Sequence, residues 1–301
     1  CETACPSGVE FVHLMDIGRG FAAEMAPVKG YRRLVNTLLR FVVPKVSFFK
    51  ILLNFAQFWR PILPRSIRKH IPRIRRRISR APVSGSARIL LLSGCVQSAA
   101  TPSVGAALRD VLEQQGLVSE ILAEGCCGAL DYHLGAHRAG EERMRNVIDQ
   151  LYERPDDIDC VVSMATGCGV TIKDYPHILR HDPVYARRAE QVVHKLVDAV
   201  ELFTTLPVKL EGRVAVHTPC TMQHGLKLGG AIERLLTEAG AEIVPHRNGH
   251  LCCGSAGTYS MLEPERSLHL REDKMACLTA NKPEVIVTAN IGCQLQLGGA
   301  A

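Results

Sequence analysis

Several absences narrow the chemistry before any motif is read. No G-x-G-x-x-G string occurs, so the glycine fingerprint that seats a flavin or nicotinamide dinucleotide on a helix N-terminus is missing. Gly254-Ser-Ala-Gly257 is glycine-rich but lacks the Lys-Ser/Thr ending of a phosphate loop, so it gives little support for nucleotide binding. No nucleophile and base form a recognisable pair. No signal-peptide pattern occurs within these residues, and 12 cysteines in 301 residues are expected to fit a reducing cytoplasm with metal or redox duties better than a secreted disulfide scaffold. Acidic residues are missing from one whole stretch. Residues 27–80 hold fifteen Lys or Arg and no Asp or Glu, which against a formal charge of +6 leaves −9 for the rest of the chain. A composition of 47% hydrophobic and 22% charged residues supports about two globular domains with real cores and excludes general disorder.

The cysteines are ordered. A lone cysteine, Cys95, is followed by the pair Cys126 and Cys127 and then by lone Cys168; Cys220, Cys252, Cys253 and Cys293 repeat the layout. Matched positions differ by 125, 126 and 125 residues, so a domain-sized unit has been duplicated with its thiols in register. Neighbouring Cα atoms lie about 3.8 Å apart across a trans peptide, too close for the roughly 4.4–6.8 Å of a relaxed disulfide. Paired thiolates beside Gly128 or Gly254 suit a metal or an iron–sulfur cluster, because soft sulfur satisfies iron and glycine lets the backbone come close. Cys160 and Cys277 stand outside the repeat and are expected to be buried, inert thiols. His133, His217, His224 and His250 lie near the motifs, as donors to sulfur or proton carriers, or as ordinary surface histidines.

The opening residues Cys1-Glu-Thr-Ala-Cys5-Pro6 look like the tail of the ferredoxin run C-x2-C-x2-C-x3-C-P, with Cys1 and Cys5 serving different clusters. The start at Cys1 and the stop after Gly-Gly-Ala-Ala lead us to expect a fragment truncated at both ends. Residues 9–84 read as a basic helical linker interrupted by Pro44, Pro61 and Pro64. Its apolar part, residues 41–59, carries Lys45, Lys50, Asn54 and Gln57, which argue against a membrane span. The basic surface suits anionic lipid, an acidic partner subunit or a solvated linker; Arg73 to Arg77 alone would also suit nucleic acid, which is not an expected partner.

From residue 85 the texture is α/β. Strands are expected at residues 88–92, 118–122 and 160–164, with helices at 103–115 and 141–152. The second unit repeats this with strands at 213–216, 242–244 and 285–287 and helices at 231–239 and 266–279. Such alternation implies parallel strands with right-handed crossovers, and open α/β sheets place their sites beyond the carboxyl ends of the strands. All eight repeated cysteines fall just after a strand, so each four should converge on one sheet edge. The expected architecture is two tandem parallel-sheet domains, 85–207 and 208–301, preceded by the linker and a ferredoxin remnant at 1–8.

These residues resemble the cysteine-rich CCG domain family of heterodisulfide reductase subunits and of iron–sulfur subunits of membrane-associated dehydrogenases. Gly125-Cys-Cys-Gly-Ala-Leu-Asp-Tyr-His133, His250-Leu-Cys-Cys-Gly-Ser-Ala-Gly-Thr-Tyr259 and Thr288-Ala-Asn-Ile-Gly-Cys293 are similar to the strings of glycolate oxidase iron–sulfur subunits. That resemblance implies two [4Fe-4S] clusters in an N-terminal ferredoxin domain, with Cys1 and Cys5 among their ligands. It also implies FAD in partner flavoprotein subunits that oxidise glycolate to glyoxylate, and a place in the cytoplasm, peripheral at the inner face of the cell membrane, with a quinone as acceptor. The heterodisulfide reductase pattern ends each motif in C-x-x-C, whereas here positions 165 and 290 are Ala165 and Asn290, so each unit keeps four thiols rather than five. Lactate-utilisation and anaerobic glycerol-3-phosphate dehydrogenase subunits, a thiol-disulfide oxidoreductase and a zinc-binding interaction module are the alternatives.

Overall fold

The computed structural model describes residues 5–64, 71, 89–122, 125–154 and 158–298. Cys1, Arg73 to Arg77 and most of the chain between residues 64 and 89 lie outside the described residues. Among the described residues seven strands form two sheets: β1 (Ile89–Leu92), β2 (Ser119–Leu122), β3 (Cys160–Ser163) and β4 (Leu196–Asp198) in the order β2-β1-β3-β4, then β5 (Arg213–His217), β6 (Glu242–Ile243) and β7 (Val285–Thr288) in the order β6-β5-β7. Every pairing is parallel. Both units thus place their first strand between the second and third, which is the duplication seen in three dimensions. β4 was not foreseen; it has only three residues at the sheet edge, too few for a periodic signal.

β1 is the continuous apolar run Ile-Leu-Leu-Leu because both faces of a central parallel strand are covered. Its residues alternate between two cores. Leu90 and Leu92 join Val161, Met144, Ile148 and Tyr175 on one face, while Ile89 and Leu91 join Val162 and Leu112 on the other. Sheet two repeats this with Val214 and Val216 on one face and Ala215, packed with Cys253, Leu278 and Cys293, on the other.

The two units meet through their cysteine-bearing edges. Thr166, two residues before Cys168, hydrogen-bonds Thr221, which follows Cys220, at 2.7 Å. Moving Thr166 up and Thr221 down by the 125-residue offset gives Ile291 and Val96, and these two share an apolar cluster with Ala100 and Ala165. A contact and its exchanged counterpart are the signature of a twofold relation, here internal to one chain.

The basic segment begins as three helices, α1 (Phe11–Met25), α2 (Gly30–Val42) and α3 (Val46–Trp59). Among the described residues no helix is long and apolar enough to cross a membrane. The helices are fastened to the first unit. Arg40 of α2 and Arg143 both bond the buried carboxylate of Asp131 at 2.6 Å. On α1, His13 bonds Asp174 at 2.8 Å while its ring stacks on His177, and Asp16 bonds His133 at 3.0 Å. Val46 at the start of α3 packs with Cys95 and Cys126, and Leu53 joins the apolar cluster between the units.

Gly128 and Gly254 test the duplication. They have φ of +81° and +82°, and a Cβ on either would stand 2.5 Å from a carbonyl oxygen, that of Gly140 or Ser267. Gly128→Ala and Gly254→Ala are each expected to destabilise the protein by at least about 2 kcal/mol, the left-handed backbone accounting for about half and the clash for the rest. Urea unfolding midpoints check this, with Gly116→Ala, at φ +74° with open space around it, as the milder control.

The His13 clamp should depend on pH. Burial lowers the pKa of His13, but the carboxylates of Asp174 and Glu10 together outweigh it and the net shift is upward from the ordinary 6.5. A base with a raised folded pKa contributes its stability in full below the unfolded value and loses it as pH rises through the folded one. His177 is shifted down by burial and by His13, so acid that charges it acts in the opposite sense. Docking of α1 should therefore be tightest in mildly acidic solution, between these two values. Amide exchange over Phe11–Met25, corrected for intrinsic rates, is expected to speed up from pH 6 to pH 8, and His13→Gln should remove that dependence.

Candidate metal centre

Local structure sets each thiol at a loop or helix start beyond a strand. Cys95 is the first residue of the helix Cys95–Ala100, and Cys168 and Cys293 are the third residues of the helices Thr166–Lys173 and Ile291–Gly298. Cys126 and Cys127 precede the turn at Gly128, and Cys252 and Cys253 the turn at Gly254. Backbone N–H groups at a helix start favour a thiolate.

In the first unit the Cys95 thiol lies 3.8 Å from the Cys126 sulfur, and Cys126 with Cys127, and Cys127 with Cys168, are close enough to shift each other's ionisation. The second unit repeats the chain from Cys220 to Cys252 to Cys253 to Cys293. The eight thiols therefore form two clusters of four. The preferred thiolates follow from who donates: Cys126 is pushed well down because Cys127 and Cys95 donate to it, Cys252 falls to about 2 because Cys220 and Cys253 donate to it, and Cys293 falls to about 5 because Cys253 donates to it. The donors Cys95, Cys127, Cys220 and Cys253 are pushed up. Such clustering favours soft-metal binding, since a cation removes the repulsion that opposes further deprotonation.

Backbone and side chains complete the cradle. Gly254 N–H donates to the Cys252 sulfur at 3.3 Å, and Asn290 Nδ2 lies 3.6 Å from that of Cys293. Gly94 has φ +67°, and a Cβ there would come 3.1 Å from the Cys168 sulfur. Tyr175 donates its hydroxyl to the Cys127 carbonyl at 2.9 Å inside the first core. Ala165 and Asn290 occupy the interface between units: Ala165 is in the apolar cluster, and the Asn290 amide lies against Gly167. The position of a fifth cysteine is thus taken by packing in one unit and by a donor to sulfur in the other.

The histidines divide. His217 lies within one ligand-sized group with Cys253 and Cys293, their donor atoms all within 4.8 Å of one another; among the described residues both its ring nitrogens are buried with no conventional hydrogen-bond partner, and its ring helps lower the pKa of Cys293. His133 faces Asp16 of α1 instead. His250 borders a cavity of about 430 Å³ with Thr218, Gln223, Glu233 and His246, between the loops that carry Cys220 and Cys252. His224 lies in the π-helical turn Thr221–Gly225. Cys5 stands in a turn before α1, its carbonyl accepting from Gly8 N–H at 3.2 Å. Cys160 and Cys277 are half-buried rather than buried as expected, because a strand start and a helix flank each leave one side open. Lys274, 0% exposed beside the second four, carried no signal in a single sequence; alignment of the two units with each other is what would have exposed it.

A parallel α/β unit, repeated with four thiols at each carboxyl edge, is the class of protein that this geometry defines, and the family model described as a cysteine-rich domain matches residues 89–173 and 214–298. The glycolate oxidase iron–sulfur subunit of Escherichia coli K12 is 39% identical over 308 residues, covering 100% of this chain and 76% of that protein. A probable glycolate oxidase iron–sulfur subunit of Bacillus subtilis 168 is 28% identical, with 99% and 74% covered, and the lactate utilization protein A of an Exiguobacterium is 29% identical, with 70% and 89% covered. The chain belongs to the cysteine-rich CCG family and, within it, to the group typified by the E. coli subunit.

The thiol electrostatics give a check on metal-free, reduced protein. Cys252 combines a depressed pKa with partial exposure, whereas Cys95, Cys126 and Cys127 are buried. Iodoacetamide at pH 6 is expected to label Cys252 at least tenfold faster than any of those three, as read by peptide mass spectrometry, because only an accessible thiolate attacks.

Proposed function

We propose that this chain is the iron–sulfur electron-transfer subunit of a 2-hydroxy-acid oxidoreductase complex, acting on glycolate through partner flavoproteins. One observation carries the reading: two duplicated sets of four thiols gathered at the carboxyl edges of two parallel sheets. Cys95, Cys126, Cys127 and Cys168 would hold one iron–sulfur group, and Cys220, Cys252, Cys253 and Cys293 another; Cys1 and Cys5 would belong to [4Fe-4S] clusters of a preceding ferredoxin domain. When bound, such a group supplies one-electron carriage. The polypeptide's own part is to hold the thiolates, to donate to sulfur from Gly254 N–H and Asn290, and to cover the first set with Val46. Oxidation of glycolate to glyoxylate releases two electrons and two protons. The hydride would be taken by FAD in a partner subunit, and the electrons would pass through this subunit to a quinone.

The basic helices support a peripheral place on the inner face of the cell membrane. Lys45, Lys50 and Arg60 accompany the exposed side chains of Ile51, Phe55, Phe58 and Trp59 on and beside α3, a mixture of cationic and apolar groups that suits an anionic lipid surface. A second reading has its own observation. The 3.8 Å between the Cys95 and Cys126 sulfurs equals the edge of a tetrahedron with metal–sulfur bonds of about 2.3 Å, the geometry of a single zinc or iron ion. Lactate oxidation is the substrate alternative favoured by the similarity to lactate utilization protein A.

Iron, zinc and acid-labile sulfide analysis of the full-length subunit separates the readings: a cluster requires sulfide, and a single ion brings none. Cys253→Ser should remove iron from the second unit, since serine oxygen is a poorer ligand for iron that prefers thiolate. In the assembled complex it is expected to slow glycolate-driven reduction of a quinone analogue at least tenfold while leaving reduction of the partner flavin intact. Wild-type iron content and turnover in both Cys253→Ser and Cys127→Ser would show these thiols to be scaffold.

A further inference from the structure

The duplication allows the surroundings of the two thiol sets to be compared residue by residue. β1 pairs with β3 so that Leu92 faces Ser163, and β5 pairs with β7 so that His217 faces Thr288; both partners differ by 125. His217, 1% exposed, therefore stands where the first unit has Leu92. The helices His137–Tyr152 and Pro264–Thr279 are both 16 residues long, and the carbonyls of Gly140 and Ser267 take the same place against Gly128 and Gly254. That match is an offset of 127, which puts Lys274 in the place of Val147. Val147 borders the first thiols with Gly125, Cys127 and Cys168, and Lys274 is 0% exposed. One set is therefore bordered by Leu92 and Val147, and the other by an imidazole and an ammonium group.

The charge of Lys274 has no carboxylate partner among its hydrogen bonds. Its Nζ donates to the carbonyls of Gly249 and Asn248, at 2.9 and 3.4 Å, in the loop that leads to Cys252. Burial lowers its pKa from the ordinary 10.5, and the thiol groups around it, Cys252 and Cys293 among them, oppose that shift when ionised. The first set has a cation nearby as well, Arg143, but that guanidinium is committed to Asp131, which Arg40 shares, and both arginines are about one-third exposed. Two guanidiniums on one carboxylate leave a net charge of +1 at the first set as well, but it sits on partly exposed side chains that water screens, whereas the ammonium of fully buried Lys274 acts at a lower effective dielectric. Glu233 lines the 430 Å³ cavity and accepts from Thr218 at 3.0 Å. The net difference favours negative charge at the second set.

Resting on the iron–sulfur reading above, the geometry points to a division of labour between the repeats: His217 and Lys274 make the second four thiols the electron-collecting site, of higher reduction potential than the first. Adding an electron makes an iron–thiolate group more negative, so a fixed buried cation and an N–H donor facing the sulfurs stabilise the reduced form over the oxidised one. The exposure of Cys220 fits a site that hands electrons out of the protein, and burial of Cys95, Cys126 and Cys127 fits one that receives them from within. Lys274 and His217 act through the sulfur ligands and are positioning residues.

The test is a redox titration of the full-length subunit followed by electron paramagnetic resonance. The signal of each set is assigned by its loss in Cys127→Ser or Cys253→Ser. The second set is expected to titrate at the higher potential. Lys274→Met should retain iron and sulfide while shifting the electron distribution between the sets at least tenfold away from the second, which is about 59 mV for a one-electron couple. Lys274→Arg should keep the wild-type midpoint, a rescue that a purely structural role for the side chain would not give. His217→Leu, which installs the first unit's residue, is expected to shift the midpoint in the same direction and serves where Lys274→Met does not load. An iron-loaded variant of either kind with an unmoved midpoint, or a first set that titrates higher than the second in the wild type, overturns the inference. Iron absent from the wild-type second set overturns the iron–sulfur reading instead, and is read from metal content alone.

Discussion

The site geometry hangs on a close approach of backbone to backbone. Immediately after each cysteine pair the chain turns through a glycine in the left-handed region, and the following long helix passes with a carbonyl where a Cβ would be. A side chain at Gly128 or Gly254 would push helix and loop apart, and with them the vicinal thiols that the helix holds against the other two. The parallel sheet does the remaining positioning. Its strands all end on one side, so residues about seventy positions apart in the chain arrive at one edge.

Duplication then brings the two edges together. The Thr166–Thr221 hydrogen bond and the cluster of Val96 and Ile291 are the same contact with the units exchanged, and both lie within two residues of motif cysteines. Ala165 and Asn290, which depart from the five-cysteine pattern of heterodisulfide reductase, sit in that junction. α3 closes it from outside through Leu53 and covers the first set through Val46, so the basic helices are part of the site's architecture rather than a bystander linker.

Within this near-symmetry the surroundings differ in charge. Leu92 and Val147 give way to His217 and Lys274, and the more exposed thiols lie on that second side. Two copies with identical surroundings would carry no direction, whereas a buried cation beside one of them does.

The sequence by itself determined the class of the fold, since strand–helix alternation admits parallel sheets and few other arrangements, and the constant offset of the cysteines revealed the duplication and both sets of four. Four of the β1 positions were readable because a strand buried on both faces is apolar throughout. β4 was not, because three residues at an edge leave no pattern, and the half-burial of Cys160 and Cys277 was not, because exposure depends on which neighbours arrive. His217 was visible only as a histidine near a motif; His133, equally near in sequence, faces a carboxylate of α1. Only the tertiary structure decided which histidine meets sulfur, that Lys274 is buried beside the second four, and that the two edges face each other. Those facts depend on contacts between distant segments, whose geometry is set by packing in three dimensions and leaves no local periodicity in the chain.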